Sequence, residues 1–114
     1  MYNEGWWILV DRDGLIVEGE GRDLSELEYF AAVIIFGIMG LRKAIKDEMG
    51  SEISEISFSV PDKKLIFHVL PVEEGKLFLI TAMPESMPLG MIRLRTKEIY
   101  DAIKSKVANL KPSG

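Results

Sequence analysis

The sequence predicts an α+β fold: a five-stranded antiparallel sheet with a long central helix and a C-terminal helix, in the order ββαβββα. Three observations predict it. Short runs rich in aromatic and β-branched residues are separated by turns bearing Gly, Pro and Asp. Two longer stretches carry apolar residues at three- and four-residue steps. The chain has 114 residues without a repeat, a low-complexity tract or a linker, which suits one domain over residues 1–114.

Trp6–Val10 reads as the first strand from its aromatic and β-branched content. Arg12-Asp13-Gly14 turns the chain, Gly being free to take a positive φ, and Leu15–Val17 returns as the second strand of a hairpin. Asp23 then offers a helix N-cap, and Glu26 stands where a capping box needs it. The helical pattern runs to Met49 and stops at Gly50, a natural left-handed position after a helix. Arg42, Lys43 and Lys46 lie toward that end, where the macrodipole favours cations. Ile56, Phe58 and Val60 alternate with Glu55, Ser57 and Ser59, the pattern of a half-buried strand. Pro61-Asp62-Lys63 turns into an apolar strand, Leu65–Leu70. Pro71–Lys76 is a second turn with Gly75 at its left-handed position, and Leu77–Met83 is apolar enough for a central strand. Beyond Pro84 and Pro88, the spacing of Ile92, Thr96, Ile99, Ile103 and Val107 marks the last helix. Arg95–Glu98 and Lys97–Asp101 are placed to pair on its wet side.

The long helix is apolar on two sides. At ~100° per residue, Leu27, Phe30, Ala31, Ile34, Ile38, Leu41, Ile45 and Met49 form one stripe, the expected core face. Opposite it lie Tyr29, Ala32, Val33, Phe36 and Gly40, flanked by Ile35 and Met39. Either the last helix covers this second face or another copy of the same helix does. Such a face offers on the order of 500 Å² per protomer, more than a monomer usually leaves exposed. Gly37 and Gly40 each cost about 1 kcal/mol of helix propensity and permit close backbone approach.

Composition excludes much chemistry. With no Cys there are no disulfides, thiolate metal sites or Cys nucleophiles, and one His supports no Ser–His relay. A net charge of −4 argues against nucleic acid as a partner. The N-terminus shows no secretory pattern, and the uncharged run Tyr29–Leu41 is too short to span a bilayer; the expectation is a cytoplasmic protein without membrane insertion. Lack of Gln, with Asn only at 3 and 109, suits a thermophile. Asp11, Asp13, Gly14, Ile16 and Glu20 come near a calcium-loop pattern, but Leu9 would hold the first ligand position and the flanks read as strands. His68 sits in an apolar strand without visible metal-ligand partners, so it reads as structural. Arg93 and Arg95 beside Lys97 read as a solvated surface, with an acidic partner or a phosphate as the alternative. Trp6 and Trp7 must point to opposite faces of their strand. There is no P-loop, and Gly19-Glu20-Gly21 lacks the rest of a dinucleotide fingerprint. No catalytic, cofactor-binding or metal-binding residue is assigned.

The element order and three segments together resemble the roadblock / dynein light-chain family. The segments are Val10–Val17 as first hairpin, Asp23–Ala32 with its Ala31-Ala32 pair, and Leu89–Leu94 at the start of the last helix. The resemblance spans about residues 6 to 108. It implies a profilin-like sandwich that homodimerises by joining its third strands edge to edge and setting its central helices side by side. The dimer interface would then hold Tyr29, Ala32, Val33, Phe36, Met39 and Gly40 of the helix with Glu55, Ser57 and Ser59 of the strand. It further implies a scaffold or a regulator of Ras-like small GTPases, not itself an enzyme, needing no cofactor. The family opens with a helix before its first strand, whereas five residues precede Trp6 here, so one sheet face would be covered by the last helix alone. The remaining order is also the longin core. A longin-like interaction domain, or a small-ligand sensor of PAS or GAF type with His68 in its cavity, is the alternative.

Overall fold

The computed structural model describes residues 5–60 and 64–110, with side chains in the last helix to residue 108. Its elements are β1 (Trp6–Asp11), β2 (Ile16–Glu20), a 3-10 turn (Leu24–Leu27) running into α1 (Glu28–Met49), β3 (Ile56–Val60), β4 (Leu65–Val72), β5 (Leu77–Pro84) and α2 (Leu89–Leu110). The strands form one antiparallel sheet in the order β2-β1-β5-β4-β3. This is the expected α+β class and element order. The expected turn Pro61-Asp62-Lys63 lies outside the described residues.

Several boundaries move for physical reasons. The first turn is organised by the Asp11 carboxylate, which accepts from the backbone N–H of Asp13 (2.9 Å) and Leu15 (3.0 Å). Leu15 therefore belongs to the turn, and β2 starts at Ile16 and reaches Glu20. Gly14 closes the turn at φ 86°. A Cβ there would fall 2.8 Å from the Ala32 Cα, so the hairpin tip rests directly on α1. Asp23 caps the helix, its carboxylate accepting from Ser25 N–H (3.1 Å) and Ser25 Oγ (2.8 Å). The capping box does not form. The Glu26 carboxylate instead approaches Arg22 at 3.6 Å, because the first turn is a 3-10 turn. At the other end Gly50 takes φ 69° and its N–H donates to the Lys46 carbonyl at 2.8 Å. β4 continues through Pro71 to Val72, past the last residue paired with β3, so the missing proline N–H leaves no gap in the β3 ladder.

The sheet separates two layers of side chains. On one face Trp6, Ile8, Val10, Phe67, Phe78 and Ile80 meet Leu27, Ala31, Ile35 and Ile38 of α1. Trp6 lies edge-on to Phe30 (5.9 Å) and Phe67 (5.8 Å), and Phe58 stacks on Phe67 at 5.0 Å. On the other face Trp7, Leu9, Val72 and Leu79 meet Ile99, Tyr100 and Ile103 of α2. The two tryptophans divide between the faces as strand alternation requires.

One expectation is corrected here. The core stripe of α1 is rolled by about 40° from the predicted one, taking ~100° per residue. Ile35, placed on the outer flank by sequence, is buried, whereas Leu41 is 45% exposed and Met49 68% exposed. The cause is Arg42. Its guanidinium lies 5.4 Å from the Phe78 ring, over the sheet, and reaches Glu52 at 3.4 Å. It also fills the space beside Gly75, where a Cβ would collide with it. An arginine stem covers apolar surface while its head finds polar partners, so the helix turns this side inward.

Gly14→Ala is expected to destabilise the fold by about 2 kcal/mol, since it adds a clash with α1 to the left-handed strain. Gly50→Ala, with open space around its Cβ, should cost only about 1 kcal/mol. Urea unfolding of both variants measures the difference.

Candidate functional site

The outer side of α1 is bare. Tyr29 is 83% exposed, Phe36 84% and Val33 53%, and they lie within one helical face together with Gly40. α2 packs on the far side of the sheet, so it does not cover this face. Covering by the last helix is thereby excluded. A Cβ at Gly37 or Gly40 would meet nothing within 4 Å. Neither glycine is required by a contact inside the chain. Of the other expected interface residues of the helix, Ala32 is exposed but sits against the hairpin tip at Gly14, and Met39, on the flank, is half-buried against the core. By length and composition the stretch Leu24–Met49 is apolar enough to cross a membrane, more so than the uncharged run Tyr29–Leu41 suggests, yet its inner side is built into the sheet core.

The two sheet edges differ. β2 carries Glu18 and Glu20, is irregular where the register shifts at Leu9/Val10, and is tied to α2 by an ion pair between Lys106 and Glu18. Charge and irregularity are the usual protections of an edge. β3 reads Ile-Ser-Phe-Ser-Val, regular and uncharged, with no strand beyond it among the described residues. Ser57 and Ser59 are exposed, and Glu55 lies just before the strand, also exposed. The loop that leads from α1 to this edge is pinned by Glu52, which binds Lys46 Nζ (2.8 Å) and Arg42 Nη2 (3.4 Å). The hydrogen bond and charge of Lys46, with help from Arg42, hold the Glu52 carboxyl below its ordinary value of 4.5.

The remaining candidates separate in space. His68 is on the α2 side of β4, its Nδ1 3.1 Å from Ser57 Oγ and 3.8 Å from Glu55 Oε1. Arg93 and Lys97 line a cleft at His68, whereas Arg95 lines a different one with Trp7, Glu20 and Glu98. The three cations therefore do not form one anion site, and Arg95 does not make the ion pair with Glu98 expected from spacing. Lys97 does pair with Asp101 at 2.7 Å, and this bond raises its pKa. Asp11, first in the calcium-like run, spends its carboxylate on the turn.

A five-stranded antiparallel sheet of this order with a helix on each face is the arrangement of a roadblock/LC7-like fold. No family model and no curated protein sequence matches the chain. Solved structures do. MglB of Myxococcus xanthus superimposes with a TM-score of 0.80 at 17% identity, over 95% of this chain and 80% of that one. A roadblock/LC7 domain from Streptomyces avermitilis gives 0.72 at 13%, over 90% and 84%. The gliding protein MglB from Thermus thermophilus gives 0.70 at 19%, over 88% and 75%. The likeness is one of fold, and it agrees with the resemblance carried by residues 10–17, 23–32 and 89–94.

The depressed Glu52 value has a defined consequence. The unfolded chain takes up the proton first, so the stabilisation is complete above about pH 4.5 and is lost as pH falls through the lower folded value. Glu52→Gln should lower Tm most above that pH, and the gap to wild type should narrow on acidification, as a series of thermal melts will show.

Proposed function

We propose that the chain is a homodimeric roadblock-type adaptor of the cytoplasm that binds and regulates a Ras-like small GTPase, without catalysis of its own. The observation that carries the reading is the bare apolar face of α1 beside an unprotected β3 edge. Aromatic side chains exposed as fully as Tyr29 and Phe36, with two glycines that no intramolecular contact needs, suit burial against a second copy. The uncharged β3 edge suits pairing with the same edge of that copy. Tyr29, Ala32, Val33, Phe36 and Gly40 would then face their equivalents, with Met39 contributing only its outer margin and Glu55, Ser57 and Ser59 flanking the joined strands. One solved MglB is described in a tetrameric arrangement, which supports self-association for this fold. The GTPase partner follows from the roadblock resemblance.

Phe36→Glu places two carboxylates in the apolar contact. It should weaken the dimer by about 3 kcal/mol, roughly 100-fold in Kd. Lys43→Glu, at an exposed position paired only with Asp47, should leave association intact. Sedimentation velocity distinguishes the outcomes, and a monomeric wild type would overturn the interface. Mixing the wild-type dimer with the Ras-like GTPases of the same genome, each loaded with GDP and with a GTP analogue, tests the partner. Binding in one nucleotide state is expected, and binding to none in either state refutes it.

A further inference from the structure

On the face of the sheet opposite α1, we infer that the cleft between α2 and β4 is a binding site for a small organic carboxylate with an apolar body. Arg93, Thr96, Lys97 and Tyr100 follow one another at helical spacing and face His68 and Leu70 across a cavity of ≈ 230 Å³. Two of the lining residues each carry a buried polar atom with no hydrogen-bond partner among the described residues, His68 at Nε2 and Thr96 at Oγ1. Thr96 is more than nine-tenths buried. Burying such groups unpaired is costly, and native proteins rarely do so without a purpose.

The chemistry of the lining selects the ligand. Ser57 Oγ lies 3.1 Å from Nδ1 of His68, and Glu55 approaches the same nitrogen at 3.8 Å. Where Ser57 donates to Nδ1, the neutral ring carries its own proton on Nε2 and can donate it from there. The Thr96 hydroxyl, the Arg93 guanidinium and the Lys97 ammonium add three more donors. The ion pair with Asp101 keeps Lys97 charged. Glu55, the one carboxylate of the lining, sits at the far ring nitrogen. Both elements thus contribute donor-bearing residues to the lining, two of them cationic, which favours an oxyanion. The other walls are Leu70 and the ring of Tyr100, whose hydroxyl donates to the Pro71 carbonyl at 3.4 Å. An inorganic anion would leave these walls uncovered, whereas a short aliphatic or aromatic body would bury against them.

His68 is the chain's one histidine, so its ring is an unambiguous reporter. The full-length protein is titrated with sodium benzoate, sodium butyrate or inorganic phosphate at constant ionic strength, while the imidazole nitrogens are followed by NMR. Both carboxylates are expected to shift Nε2 saturably, with a Kd of about a millimolar for ligands of this size. Thr96→Val and Arg93→Gln should each weaken that binding by about tenfold, and Arg95→Gln, facing the other cleft, should not. Backbone amide spectra check the fold of each variant. If Thr96→Val fails to fold, the exposed Arg93→Gln carries the test alone. Absence of a saturable shift with either carboxylate overturns the site, as does saturation that the folded variants leave unchanged. Saturation by phosphate alone overturns the apolar body. The lining belongs to one chain and the readout is ligand binding, so failure here leaves the proposed function where it stands.

Discussion

A helix with more apolar surface than its own chain covers governs this molecule. One five-stranded sheet has two faces, and each receives one helix. α1 needs cover on two sides and obtains it on one. The hairpin tip at Gly14 reaches its flank, and no other described element approaches Tyr29, Val33 or Phe36. Burying these side chains would gain free energy that no described element of the chain supplies. The protected β2 edge makes the same point in reverse. Where association would be harmful, the chain spends Glu18, Glu20 and an irregular register; at β3 it spends none of these.

Element order and boundaries were largely legible because turns announce themselves locally. Gly50 and Gly75 have positive φ as their positions require, and Asp23 caps as its residue type demands. The phase of α1 was not legible. Periodicity centres a core stripe on the apolar residues, and arginine counts as polar in that reckoning. In the fold, Arg42 sets its guanidinium over the Phe78 ring and reaches Glu52, so it sits half-buried against the sheet with a charged tip. Its partners lie 36 and 10 positions along the chain, and no local pattern connects them.

The same distinction divides the sites. Tyr29, Val33 and Phe36 repeat at three and four residues, so their shared face could be read directly. The edge position of β3 could not, because a half-buried alternation looks alike at the edge and in the centre of a sheet. That placement came from resemblance alone. In the α2 cleft, each residue read separately has an ordinary explanation: Thr96 as part of an apolar stripe, His68 as structural, Arg93 and Lys97 as solvated charge. Only the crossing of α2 over β4 brings these four residues to one cavity.

The edge strand joins the two faces of the sheet. Ser57 Oγ lies within hydrogen-bond distance of His68 Nδ1, Glu55 comes near the same nitrogen, and both residues lie at the edge where a second copy would pair. The Ser57 hydroxyl has one proton to give. Were edge pairing to draw that proton toward a neighbouring chain, the imidazole would lose the partner that fixes its tautomer, and the donor set of the cleft would change with it. The converse also holds by linkage: a carboxylate bound at Nε2 strengthens the demand for a donor at Nδ1, and so biases the Ser57 rotamer at the edge. Ser57 is therefore the residue through which strand pairing would reach His68, were the two sites coupled.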